Sequence, residues 1–155
     1  MFITSCSESN VIEFLSDDRL LLNNRHKSYL EAICETFLPV SGISEKVGRP
    51  VDYILAMLND CHEPEEVHKF AIGFDQYKLL MTESSLKIRS SDPEEIITVV
   101  ESTLAAEIPR EELVFFINKM KSLSIRYFIS SEYYMIEYRE YQLIPQPFEG
   151  CAPVS

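Results

Sequence analysis

Glycine is scarce in this sequence, with four among 155 residues, which argues against a loop-rich all-β fold. No G-x-G-x-x-G or P-loop occurs, and isolated glycines cannot build one, so the chain has no visible means of holding a nucleotide cofactor by itself. Histidine is rarer still, with three, and there is no G-x-S-x-G elbow or Cys–His arrangement for nucleophilic catalysis. No apolar run approaches the ~18–20 residues of a membrane span. Positive charge is in deficit: 14 basic residues face 25 acidic ones, for a formal charge of −11. Such a surface repels phosphate backbones and anionic headgroups, which argues against nucleic acid and for proteins or small molecules as partners.

What is present suits one helical domain. Hydrophobic residues make up 46% of the chain, and a domain of this length buries roughly 68–70% of its unfolded surface. In "NNRHKSYLEAICETFLP", Tyr29, Leu30, Ile33, Cys34, Phe37 and Leu38 recur at i, i+3/i+4, predicting an amphipathic helix stopped by Pro39. Pro50 and Pro64 suit the first turns of two more helices, with stripes Val51, Ile54, Leu55, Leu58 and Val67, Phe70, Ala71, Phe74, Tyr77, Met81. "SSDPEEIITVVESTLA" predicts a fourth, with Ser91 or Asp92 as N-cap and Pro93 at N1. From Pro109 to Tyr138 the pattern allows one or two helices, with Ser122-Leu123-Ser124 as the expected bend. There is no internal repeat or second-domain linker. The reading is all-α, a compact bundle of five or six helices with an extended C-terminal arm: residues 1–22 as a tether, 23–141 as the helical domain and 142–155 as the arm.

Two chemical constellations stand out. "CHEPEEVHKF" gathers Cys61, His62, Glu63, Glu65, Glu66 and His68. Glu65-x-x-His68 has the spacing of one half of a carboxylate-bridged di-iron site, but no second Glu-x-x-His exists. A zinc site from Cys61, His62 and His68 lacks recognisable spacing, so a helix start rich in solvated acids is the better reading and no metal ligand is assigned. A stand-alone metal protein using Cys61–His68 remains the alternative. Near the end, Tyr133, Tyr134, Tyr138 and Tyr141 have mostly helical spacing and read as core or interface packing rather than a sugar platform.

The cysteines divide by context. Cys34 and Cys61 lie late on apolar helices and read as buried thiols. Cys151 lies beyond the last helix, where an oxidising compartment would let it bond to another chain. Ile3-Thr4-Ser5-Cys6 has the residue types of a bacterial lipoprotein cleavage site, which makes Cys6 a candidate lipidation site and a free lipoprotein a further alternative.

Two blocks together resemble a known family. The first runs "YLEAICETFLPVSGISEKVGRPVDYILAMLNDC" and on to "YKLL". The second has Phe115-Phe116, Tyr127-Phe128, Ser131-Glu132 and a Pro-rich tail from Pro145 to Pro153 around Gly150-Cys151. Both are similar to the gluconate 2-dehydrogenase subunit 3 family, over about Tyr29 to Val154. The resemblance implies a non-catalytic small subunit of a bacterial FAD-dependent dehydrogenase acting on sugars, sugar acids or glycosides. The FAD would sit on a large partner of the glucose-methanol-choline (GMC) type, with a cytochrome c as a further partner. It implies export to the periplasm, although no Arg-Arg signal precedes the domain, so a lipid anchor at Cys6 is the expected attachment to the membrane.

At the tail the resemblance meets the residues themselves. Residues 142–155 could extend roughly 45 Å at ~3.3 Å per residue, and Pro145, Pro147 and Pro153 favour extended backbone. Leu143, Ile144 and Phe148 would anchor the arm in a partner's groove. The expected interface is therefore Tyr127, Phe128, Ser131, Glu132, Leu143, Ile144, Pro145, Pro147, Phe148, Gly150 and Cys151.

Overall fold

Among the described residues, three helices start on a proline, as the sequence predicts, because proline's fixed φ suits the first turn and its missing N–H is an orphan there anyway. They are α2 Pro50–Cys61, α3 Pro64–Glu83 and α4 Pro93–Leu104; the others are α1 Asn24–Phe37, α5 Glu111–Ile129 and α6 Glu132–Glu137. The structure is a computed structural model and describes residues 12–15, 17, 19–38, 46–88, 91–105 and 110–139. Among these the fold is helical, as expected, with one addition: a two-stranded antiparallel hairpin, β1 Glu13–Phe14 and β2 Leu20–Leu21, pairing Glu13 with Leu21 and Phe14 with Leu20. The arm lies outside the described residues.

Caps set the helix ends. Asn23 accepts from the His26 backbone N–H at 2.9 Å to open α1, and Leu38 is already extended, as a residue before proline should be. Of the two candidates for the α4 cap, Asp92 fills the role, accepting from Glu94 N at 3.1 Å. The expected bend at Ser122–Ser124 is not there. Leu123 and Ser124 are buried inside continuous α5, and packing outweighs serine's weak helix propensity. The break falls later, where Ser131 Oγ accepts from Tyr134 N at 3.2 Å and caps α6.

The core is built around α3 and α5. Phe116 on α5 lies against Phe70, Phe74 and Tyr77 of α3, with ring centroids 4.9, 5.4 and 5.5 Å apart. Gly73 is what permits the approach: a Cβ there would lie 2.1 Å from the Glu112 carbonyl oxygen. Around this pair sit Leu30 and Ile33 of α1, Ile54 and Leu58 of α2, and Ile96 and Val100 of α4, all buried. Each such side chain contributes about 1.5–3 kcal/mol by leaving water.

Part of the stretch expected to be a tether belongs to this core. Leu20 and Leu22 are buried in it, and Phe14 stacks on His68 at 4.1 Å. The Asn59 side-chain amide imitates a neighbouring strand, accepting from Leu20 N at 2.8 Å and donating to Leu20 O at 3.3 Å. So the packed domain starts at or before Leu20 rather than at residue 23.

Candidate partner interface

The described members of the expected interface gather where α5 passes into α6. A second, smaller cluster joins Leu38 and Phe128 with Val47, Tyr133 and Tyr134 packed around them. Phe128 is buried, edge-on to Tyr134 at 5.2 Å and to Tyr138 at 6.0 Å. Tyr134 and Tyr138 stack at 5.4 Å, the i, i+4 geometry of a helical turn. The tyrosines expected to pack as core or interface therefore organise α6 first; Tyr141 lies outside the described residues.

Tyr127 reaches from α5 to the α1–α2 connector. Its hydroxyl donates to Val47 O at 2.5 Å, and its ring leans on Tyr53 at 5.3 Å. Gly48 at φ +84° makes the turn beside it, and a Cβ there would meet the Tyr127 hydroxyl at 3.4 Å. Partial burial, then the negative charge of Asp52, holds the Tyr127 hydroxyl above the usual tyrosine pKa, so it stays a donor at neutral pH. Lys46 adds a second tie, donating to Tyr133 Oη at 3.2 Å with its ammonium 5.0 Å from the ring centroid.

Ser131 serves as the α6 cap and Glu132 stands exposed in its first turn. Of the eleven expected interface residues, the structure thus brings together Tyr127, Phe128, Ser131 and Glu132. Leu143, Ile144, Pro145, Pro147, Phe148, Gly150 and Cys151 lie outside the described residues, as does Cys6.

Sequence reading missed the apolar side chains left open beside this cluster. Ile125 and Ile129 on α5, and Ile136 and Tyr138 at α6, are 39%, 45%, 52% and 54% exposed. Ile125 and Ile129 are four apart and off the buried stripe, so a helical projection could have found them; Lys46 meeting Tyr133 across 87 positions could not be found that way. Charge also changes sign here. Between residues 119 and 139 Lys119, Lys121, Arg126 and Arg139 outnumber Glu132 and Glu137, in a chain of net −11. Lys119 is paired with Glu66 at 3.7 Å; exposed apolar side chains in the locally cationic stretch that remains fit a protein surface carrying apolar and acidic groups.

The Cys61–His68 stretch does not converge. His62 Nδ1 lies 3.4 Å from Glu66 Oε2, while His68 is occupied by Phe14. Among the described residues no three or more His, Cys, Asp or Glu side chains are placed to hold a metal ion, and no helix is long and apolar enough to cross a membrane.

One cysteine expectation holds and one fails. Cys34 is buried, but Cys61, the last residue of α2, is exposed although it continues the spacing of Ile54 and Leu58. Burial pushes the Cys34 thiol from 9.0 up to about 12. The raised value means stability is complete below about pH 9 and declines as pH climbs towards 12, by roughly 1 kcal/mol per pH unit once the unfolded thiol ionises. A thiol reagent at pH 8, followed by peptide mass mapping, should label Cys61 in the folded protein and Cys34 at least ~1000-fold more slowly, at the rate of unfolding. Comparable rates for the two would mean that the α1–α5 packing is wrong.

A family model described as Gluconate 2-dehydrogenase subunit 3 matches residues 24–147. No curated protein and no solved structure gives a significant match to this chain.

Proposed function

The chain belongs to the gluconate 2-dehydrogenase subunit 3 family, and from that membership we propose that it is a non-catalytic subunit that binds, matures and stabilises an FAD-dependent dehydrogenase. The substrate is a sugar, sugar acid or glycoside, oxidised on a large subunit of the GMC type in the bacterial periplasm. The flavin is held by that large subunit and accepts the hydride there; a cytochrome c or quinone takes the electrons onward. Cys6 carries a lipid anchor. The observation that carries this reading is the family match, which spans α1 to α6 and runs into the arm.

The role of this chain's own residues follows from the α5–α6 end. Lys46 and the tyrosines packed on Phe128 hold α6 against the helical body, and Tyr127 ties α5 to the α1–α2 connector, so Ile125, Ile129, Ile136 and Tyr138 are presented on a preorganised surface, which lowers the ordering cost of docking. Leu143, Ile144, Pro145, Pro147 and Phe148 continue from that end along the partner, and Gly150-Cys151 supplies a covalent latch to it.

Affinity purification of the tagged chain from its native host, with mass spectrometry of what accompanies it, should recover a large flavoprotein. The double variant Ile125→Asp/Ile136→Asp should reduce that recovery tenfold or more, since losing two apolar interface side chains costs upwards of ~1 kcal/mol each. Recovery of no flavoprotein, or sugar oxidation by this chain alone with an artificial acceptor, would overturn the proposal. Cys151→Ser should abolish a large band on non-reducing gels if the latch exists.

A further inference from the structure

Away from that surface, a groove of about 640 Å³ opens between the first turns of α1 and the C-terminal half of α3, closed on one side by the segment after α3. Its size lies within the ~300–1,000 Å³ typical of small-molecule sites. Local structure fixes its wall. α3 ends with Ser85 in the left-handed region at φ 57°, and Leu86 N donates back to Met81 O at 2.8 Å, a Schellman-type end that turns Leu86 and Ile88 over the groove. Tyr29 and Leu79 supply the opposing apolar lining.

The polar groups around this lining are predominantly cationic. Lys78 is matched by Asp75 at 2.6 Å, which leaves Arg25 and Lys87 as the net charge of the rim, in a protein whose overall charge is −11. Arg25 is positioned by Tyr29: Nε donates to the phenol oxygen at 3.0 Å, with the guanidinium 5.5 Å from the ring centroid. That bond uses Nε alone, so the fork of terminal amino groups is not consumed by it. Asp75 and the carbonyl-bearing end of α3 disfavour an anion at the far side, which puts a bound anion at Arg25.

We propose that this groove binds a small amphiphilic carboxylate, its anionic head paired with Arg25 and its apolar body lying over Tyr29, Leu79 and Ile88. A bidentate guanidinium–carboxylate pair supplies orientation, and the lining supplies the apolar contact. The site is independent of the dehydrogenase reading, because every group in it belongs to this chain.

Calorimetric titration of the purified full chain with octanoate, octanol and acetate tests it. Octanoate should bind saturably, and octanol and acetate each at least tenfold more weakly. Arg25→Gln should weaken octanoate binding by roughly 10- to 100-fold, the worth of a charge-assisted hydrogen bond, with Arg25→Lys between the two. Leu79→Asp should also abolish binding; Arg25 and Leu79 are both exposed, so melting temperatures should hardly move and folding failure is separable. Octanol binding as tightly as octanoate, an unaffected Arg25→Gln variant, or no saturable binding would each overturn the proposal. A groove that takes only an acidic peptide of a partner protein gives that last result.

Discussion

Gly73→Ala is expected to destabilise the protein by about 3 kcal/mol, the upper end for overpacked sites, although alanine is the better helix former by ~1 kcal/mol. The new Cβ would lie 2.1 Å from Glu112 O, 2.6 Å from Phe116 Cβ and 2.8 Å from Glu112 C. Two of those atoms are backbone of α5, so no side chain can swing aside. The helices would have to part by most of an ångström where they cross, and the ring contacts of Phe116 with α3 would loosen with them. The measurement is a thermal or urea melt, in which the midpoint should fall by roughly 6–12 °C. Ile72→Ala, one position away and 51% exposed, should stay within ~0.5 kcal/mol of the parent. Equal melts for Gly73→Ala and the parent would mean that α3 and α5 do not approach as described.

Phe116→Ala should cost about 3–5 kcal/mol, the range for buried phenylalanine truncations, and lower the midpoint by roughly 6–20 °C. Phe116 is fully buried and touches three aromatic rings of α3 at once. Removing it forfeits the transfer term, leaves a cavity, and strips the edge and stacking terms of ~0.5–1.5 kcal/mol per pair. Tyr77 sharpens the expectation. Burial holds its hydroxyl well above the ordinary tyrosine value, and its cover on one side is the Phe116 ring. In Phe116→Ala that cover thins, so the tyrosinate absorbance of Tyr77 should develop at lower pH than in the parent. Phe116→Leu, which keeps most of the volume, should cost less than ~1.5 kcal/mol. A truncation that costs no more than the leucine variant would remove Phe116 from the centre of the core.

The family relationship gives these stability effects a functional reading. On the proposed reading the chain presents a surface rather than a reaction centre, so a loosened α3–α5 crossing acts on function through the placement of α5's last turns and α6. Loss of partner recovery in Gly73→Ala should therefore track the loss of fold. Ile125→Asp/Ile136→Asp should lose the partner while still melting near the parent, since both residues are exposed. That contrast separates a docking surface from a packing defect.

Helix positions were legible because their signals are local. Pro50, Pro64 and Pro93 start helices through their own φ, and the 3.6-residue stripes on α1 to α5 mark the inward faces irrespective of what covers them. The candidate surface was legible only in part. Tyr127, Phe128, Ser131 and Glu132 were identifiable through a family pattern, but what each does depends on neighbours far along the chain: Tyr127 on Val47, Phe128 on Leu38, Ser131 on capping α6. The bend placed at Ser122–Ser124 shows the limit. Serine's local preference is worth tenths of a kcal/mol, whereas burying Leu123 and Phe128 on either side is worth several.

What the amino-acid order determined alone is the helical class, the positions of α1 to α4, the net acidity and the membership signature, because composition and short-range spacing carry them. Only tertiary structure decided that Leu20 and Leu22 belong to the core, that Cys61 faces water while Cys34 does not, and that Arg25 and Lys87 share one groove. The physical reason is separation along the chain. A side chain's burial and charge neighbours are properties of whatever packs against it, and those partners, such as Asn59 for Leu20 or Lys46 for Tyr133, stand 39 and 87 positions away.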